Sequence, residues 1–294
     1  MRLVTYHTGT ASHIGAVVGE TLVDLSLLAP DMLTFIAGGP DMLARAQALV
    51  AANTSPRLPL ASVTLLAPIP RPRKNIMCLG WNYAAHSAES ARARGREATL
   101  PSYPVVFTKS VTAVNHPDAV IPYDANVSSE IDWEVELAFV IGRQGKNIQR
   151  TEALDYVFGY MILNDISARD IQSRHKQFFL GKSLDGSAPC GPWIVTPDEI
   201  GDPQALRLQL RVNGVTRQDA NTSDMIFKIP DIIATLSLGI TLEPGDIVAT
   251  GTPSGVAMGM DPPVYLRPGD VVEAEIERIG VLRNTIGEPV TGDR

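Results

Sequence analysis

The chain has 294 residues, 45% hydrophobic and 19% charged, with 24 glycines, 22 prolines and few aromatics. That suits one large domain, or a medium domain with a small appendage, and it is long enough for a core that needs no staples. A net charge of −7 leaves no basic field to draw phosphates and excludes a general nucleic-acid binder, while a small anionic substrate stays compatible with locally concentrated cations.

In chain order, short strands are predicted in LVTY, HIGAVVG and TLVDLSLL within residues 1–30, broken by Gly and Thr. Two helical patterns follow, DMLTFIA and DMLARAQALVAA, each opening on an aspartate suited to an N-cap, Asp31 and Asp41. The stretch SPRLPLASVTLLAPIPRPRKN has five prolines between residues 56 and 72. Proline lacks a backbone donor and restricts the residue before it, so an extended connector is expected there. It divides a small N-terminal domain, residues 1–66, from a larger one, residues 67–294.

In GWNYAAHSAES, residues 80–90, the Ala, Ser and Glu content favours helix. His86 and Glu89 are then surface neighbours, with Cβ atoms roughly 5–6 Å apart. An incidental pair on a solvated face and a functional pair both fit this spacing.

β signals dominate the rest. LRLQLRVNGVTRQD alternates around Asn213-Gly214, a strong hairpin signal. LEPGDIVATGTP and LRPGDVVEAEIE each place Pro-Gly at the centre of a type II turn ahead of a strand. Short helices are predicted in TEALDYVFGY, around SARDIQSRHK and in IPDIIATLS, the last with Pro230 near its start. Together these patterns give a β-rich α+β fold with a small N-terminal module. The lone cysteines, Cys78 and Cys190, are expected to be buried thiols. The opening MRLVTYHTGT lacks a signal-peptide pattern and no apolar run reaches spanning length, so a cytoplasmic protein with no membrane partner is expected.

IDWEVELAFVIG, residues 131–142, puts Trp133, Val135, Leu137, Phe139 and Ile141 on one strand face and Asp132, Glu134 and Glu136 on the other. Carboxylates two apart in a strand are about 7 Å apart at the backbone. They approach one another only with a cation between them, and a polar solvent-facing edge fits equally. Asp165 follows the apolar run Tyr160-Met161-Ile162-Leu163, so its charge is expected to be buried and to need a partner, unless it caps the following segment. Lys182, between FFLG and a glycine-rich turn, suits a salt bridge or an anion. Three oxygen ligands without thiols suit Mg²⁺ or Mn²⁺ better than zinc. TGTPSGVAMGM lacks the GK[ST] ending of a phosphate loop, although backbone N–H groups around Gly251-Thr252 suit a carboxylate or carbonyl oxygen.

CLGWNYAAHSAE, PVVFTKS, DWEVELAFVIG, GYMILNDISARDIQ, GKSLDGSAPCGPWI, VNGVTRQDANTSDMIF and DIVATGTPSGV, in this order across residues 73–260, together resemble the fumarylacetoacetate hydrolase family, in particular its acylpyruvase-like members. The resemblance implies a mixed β-sandwich roll, usually as a homodimer. It implies a divalent metal, Mg²⁺ or Mn²⁺, held by Glu134, Glu136 and Asp165, with Asp132 not among the ligands. The His–Glu pair of the family falls on His86 and Glu89, on a lid to which SARARGREATLP would belong. Arg169, Gln172 and Lys182 match residues around the substrate, and Thr252 matches the threonine of the GTP motif. Two departures, Asn115-His116 for a Gly-Pro pair and Gly255-Val256-Ala257 for GVG, fall near loops that shape the pocket. His116 is therefore a possible pocket residue.

The activity this implies is hydrolysis of a C–C bond in an acylpyruvate-like 1,3-diketo acid such as fumarylpyruvate, a reaction of aromatic catabolism that releases pyruvate. His86, oriented by Glu89, would act as general base on water, and Lys182 would stabilise the developing enolate. The alternative on the same site is an oxaloacetate-type decarboxylase or an oxo-dienoate isomerase. A non-catalytic metal-dependent binding protein is a third possibility, set aside because a His–Glu pair has no structural need to be on the lid.

Overall fold

A computed structural model describes residues 1–289 except 10, 53, 54, 94, 96 and 98. Three of the exceptions belong to the expected lid run SARARGREATLP, so that part of the expectation lies outside the described residues.

Two sheets organise the chain. The larger, twelve-stranded among the described residues, runs through residues 57–59, 21–24, 12–18, 2–7, 188–195, 157–164, 135–141, 247–249, 76–80 and 105–109, with two short strands branching off it. The smaller has five strands, 215–221, 207–212, 271–276, 280–289 and 120–123. Residues 1–66 are stitched into the larger sheet, since Arg2 pairs with Val195 and Leu3 with Ile194.

Strand 135–141 lies deep in this arrangement, every residue buried. Val135, Leu137, Phe139 and Ile141 pack in one cluster with Leu208, Leu210, Val272 and Ala274 of the smaller sheet. Ala138 and Val140 pack on the opposite side with Phe35, Ile36 and Met161. The carboxylates therefore do not form a solvated edge. Their face is apolar further along, and Glu134 and Glu136 occupy its buried end.

Local chemistry explains most elements. Asn213 and Gly214 both have positive φ, 51° and 77°, as a type I′ hairpin between 207–212 and 215–221 requires. Gly245 and Gly269, at φ 92° and 85°, occupy the turn positions expected ahead of strands 247–249 and 271–276. Asp31 caps helix 32–37 by accepting from the Thr34 N–H at 2.7 Å. Asp41 is no cap: its helix begins at Gly39. The helix expected in TEALDYVFGY is corrected to a 3₁₀ turn, 150–156, followed by strand 157–164. Val157–Tyr160 open a strand buried on both faces, whose continuous apolar run hides the period of two. Strands 57–59 and 64–66 form within the proline-rich connector. Cys78 and Cys190 are free and buried. No helix among the described residues is long and apolar enough to cross a membrane.

Candidate active site

The site is assembled by strand pairing. Val135 stands opposite Asn164, and Glu136 opposite Leu163. The chain continues past Asn164 to Asp165, whose N–H donates to the Glu134 carbonyl at 2.9 Å, while Asn164 Oδ1 accepts from the Glu134 N–H at 3.1 Å. Each of Glu134, Glu136 and Asp165 thereby offers a carboxylate oxygen within 4.8 Å of the others, and all three residues are buried.

Three buried cations enter this cluster. Lys182 Nζ donates to Glu134 Oε2 at 2.7 Å and to Asp165 Oδ2 at 2.8 Å. Arg169 donates through Nη2 to Glu134 Oε1 at 2.6 Å, through Nε to Asp132 Oδ2 at 2.7 Å and through Nη1 to Gln172 Oε1 at 3.0 Å. Lys109 donates to Asp165 Oδ1 at 2.6 Å. Burial alone would raise the Glu134 carboxyl, but Lys182 and Arg169 hold it well below the usual range. Burial likewise opposes charge on Lys182, and Asp165 and Glu134 outweigh it, so its pKa rises.

Glu136 is different. Its Oε2 accepts from the Gly251 N–H at 2.8 Å, but its buried Oε1 has no hydrogen-bond partner among the described residues. Burial, reinforced by Asp165 and Glu134, pushes its pKa well above the carboxylate range. An unpaired buried oxygen facing two more carboxylates fits a divalent cation bound by hard oxygen donors. Asp132 stands apart from this set: it accepts from Arg169 and from the N–H groups of Trp133, Ala257 and Met258.

Helix 84–93 carries the dyad, with His86 Nδ1 3.3 Å from Glu89 Oε2. The Gly255 N–H reaches both Glu89 oxygens, at 3.0 and 3.1 Å, and Ser90 Oγ lies 3.5 Å from His86 Nε2. His86, Glu134, Arg169, Gln172, Lys182 and Thr252 all line one cavity of about 20 Å³, with Glu136 and Asp165 in the adjoining cluster and Glu89 behind the histidine. Thr252 Oγ1 donates to the Val135 carbonyl at 2.9 Å, which leaves its side chain tied to the ligand strand.

Of the two departures, only the second lies at the site. His116 does not line the cavity; its Nδ1 accepts from the Ala67 N–H at 3.1 Å, and Asn115 Nδ2 donates to the carbonyls of Val120 and Gly186. This pair fastens loops. Gly255 and Ala257, in contrast, use their N–H groups on Glu89 and Asp132.

Sequence reasoning missed Lys109 and Gln218. Lys109 ends strand 105–109 in PVVFTKS, and a lysine closing an apolar strand was the available signal. Gln218 straps the site by accepting from the Val135 N–H at 2.9 Å and donating to Thr252 Oγ1 at 2.8 Å; within the hairpin pattern nothing marked it.

The fold and site can now be set against known proteins. Residues 75–287 match the family described as fumarylacetoacetate (FAA) hydrolase, C-terminal, and the chain belongs to that family. It is 48% identical to the oxaloacetate tautomerase YisK of Bacillus subtilis over 91% of this chain and 90% of that protein. Among solved structures it resembles a fumarylacetoacetate hydrolase from Exiguobacterium antarcticum, with a TM-score of 0.84, 38% identity and coverage of 98% and 99% of the two chains. It also resembles the maleylpyruvate hydrolase of Sphingobium sp. SYK-6 in complex with manganese(II) and pyruvate, with a TM-score of 0.80, 31% identity and coverage of 98% and 100%. These relatives include a tautomerase as well as hydrolases, so the narrower acylpyruvase-like expectation does not follow from the family.

Proposed function

We propose that the protein is a divalent-metal-dependent enzyme that interconverts the keto and enol forms of oxaloacetate or a closely similar 2-oxo dicarboxylic acid. The observation that carries this reading is the unpaired, buried Glu136 Oε1 in a three-carboxylate cluster beside Lys182, under an oriented His86–Glu89 pair. Similarity to an oxaloacetate tautomerase across nine-tenths of the chain supports it and displaces the hydrolytic reading from first place.

Glu134, Glu136 and Asp165 would hold the ion, Mg²⁺ or Mn²⁺, whose chemistry is to polarise the 2-oxo acid as a Lewis acid. The protein's own groups do the rest. Glu89, fixed by the Gly255 N–H, accepts from His86 Nδ1 and leaves Nε2 free of its proton. That nitrogen takes the C3 proton of the keto acid. Negative charge grows on the 2-oxygen, where the Lys182 ammonium stabilises it; transfer of the proton now on His86 to that oxygen gives the enol and restores the base. Arg169, held by Asp132 and Glu134, and Gln172 bind the acid end.

A second reading, C–C hydrolysis of an acylpyruvate, is supported by likeness to a maleylpyruvate hydrolase bound to manganese and pyruvate. It needs the same groups, with His86 acting on water.

The test adds enol-form oxaloacetate to enzyme with Mn²⁺, with Mg²⁺ or with chelator and follows loss of the enol absorbance by stopped flow. Metal-dependent acceleration toward the keto equilibrium is expected. A rate equal to buffer and metal alone, with pyruvate released from an acylpyruvate, would replace this reading with the second.

A further inference from the structure

The cavity around His86 and Lys182, at about 20 Å³, is too small for a whole four-carbon acid and is open to the outside. The remainder of a substrate must extend outward. Trp81, Gln172 and Phe178 line this cavity and also a second one of about 430 Å³, whose other walls are Ser173, Arg174, His175 and Lys176. The two spaces adjoin at these three residues. The outer one is a vestibule bounded by Trp81 and the segment from Gln172, in helix 169–174, to Phe178.

A short run of exposed basic residues is ordinarily a solvated face, and three observations set this one apart. Among the described residues no carboxylate lines the vestibule. Neither Arg174 nor Lys176 is in any of the ion pairs found among the described residues. Every cation of the inner site among the described residues is already engaged by a carboxylate: Lys109 by Asp165, Lys182 by Glu134 and Asp165, Arg169 by Asp132 and Glu134. A second negative charge on the substrate finds no free partner inside, but it finds one in the vestibule. The local positive charge also stands against a net charge of −7, which otherwise repels a dianion.

We propose that Arg174 and Lys176, with His175 between them, form a subsite for the remote carboxylate of a dicarboxylic 2-oxo acid. The 2-oxo acid end occupies the inner cavity and the distal carboxylate lies past Gln172 and Phe178. The inference rests on the keto-acid reading of the inner site and deepens it: these residues choose dianions over monoanions.

The experiment measures binding to the Mn²⁺-loaded enzyme by calorimetry, using malate and lactate as unreactive acids that differ by one carboxylate. Malate binds wild type more tightly than lactate. In the Arg174→Ser, Lys176→Ser double variant the malate-to-lactate affinity ratio falls at least about fivefold, the scale expected of two exposed charge contacts. Arg174→Lys restores most of the preference, and added salt erodes it in wild type. Equal binding of the two acids by wild type, failure of malate to bind, or a ratio unchanged in the double variant would overturn the proposal. Turnover is read separately: a malate preference that depends on Arg174 and Lys176, with no action on oxaloacetate, would sink the tautomerase reading and uphold the subsite.

Discussion

Replacing Glu136 by Gln separates what the carboxylate costs the metal-free protein from what it gives the loaded one. Glutamine keeps an oxygen to accept from the Gly251 N–H and removes the charge from a position where Oε1 has no partner. An unsatisfied buried polar atom costs about 1–3 kcal/mol, so the metal-free variant should be more stable than wild type by that amount at pH 8. In wild type the folded-state pKa of Glu136 lies above its unfolded value. Folding therefore favours the protonated form, and metal-free stability is fullest below the ordinary carboxylate range and declines as pH rises through the raised value. The variant loses that slope. Loaded with Mn²⁺ the order reverses. An ion at 100 times its Kd adds about 2.7 kcal/mol, and a variant binding a hundredfold more weakly retains less than about 0.5 kcal/mol at the same concentration. Thermal unfolding with Mn²⁺ or chelator, from pH 5 to 9, reads both effects, at roughly 2–4 °C per kcal/mol. If Mn²⁺ raises Tm equally in both proteins, and the metal-free variant gains nothing at high pH, Glu136 is not a ligand and the charge argument fails.

Other perturbations separate the parts of the site. His86→Ala should lower turnover by about 10²–10⁴-fold and leave the Mn²⁺-induced rise in Tm intact; loss of both would make His86 part of the metal site. Lys109→Met leaves Asp165 Oδ1 without its buried cation and should cost about 3–5 kcal/mol in urea unfolding, whereas a cost under about 1 kcal/mol would show the pair to be dispensable. A methyl group at Gly259 would overlap Glu89 Cγ, Cδ and Oε1. Gly259→Ala should therefore push Glu89 off the Gly255 N–H and lower kcat at least about tenfold with little change in Tm, since a flexible carboxylate yields more readily than backbone; unchanged kcat would mean that the Glu89 position does not matter.

The parts of the molecule that were legible in the sequence are those set by local chemistry. Asn213-Gly214 demands positive φ whatever surrounds it, and the Pro-Gly turns behave alike. The alternation from Trp133 to Ile141 gave the correct strand faces, but not the burial of the acidic one, because burial depends on helices and strands more than a hundred residues away. Val157–Tyr160 misled for a related reason: a strand covered on both sides loses its alternation and carries helix-compatible residues. The nine candidate residues were legible as chemistry-bearing types in an ordered set of motifs, and the structure brings them to one place. Lys109 was legible only as a lysine closing an apolar strand, since nothing local distinguishes one that pairs with Asp165 from one that reaches solvent. The vestibule was equally hidden, because it exists only where Trp81 meets the 172–178 segment.

The loop from Gly251 to Met258 reaches three separate parts of the site. Through its backbone N–H groups it holds Glu136, Glu89 and Asp132, and through Thr252 it holds the Val135 carbonyl. Since the contacts are mostly main-chain, side chains along the loop are free to vary while its path is not. Transplanting this loop between relatives would disturb the carboxylate cluster, the His86–Glu89 pair and the Asp132–Arg169 pair together. On the proposed function and subsite, acid preference is therefore easier to change at the 173–178 segment than in this loop.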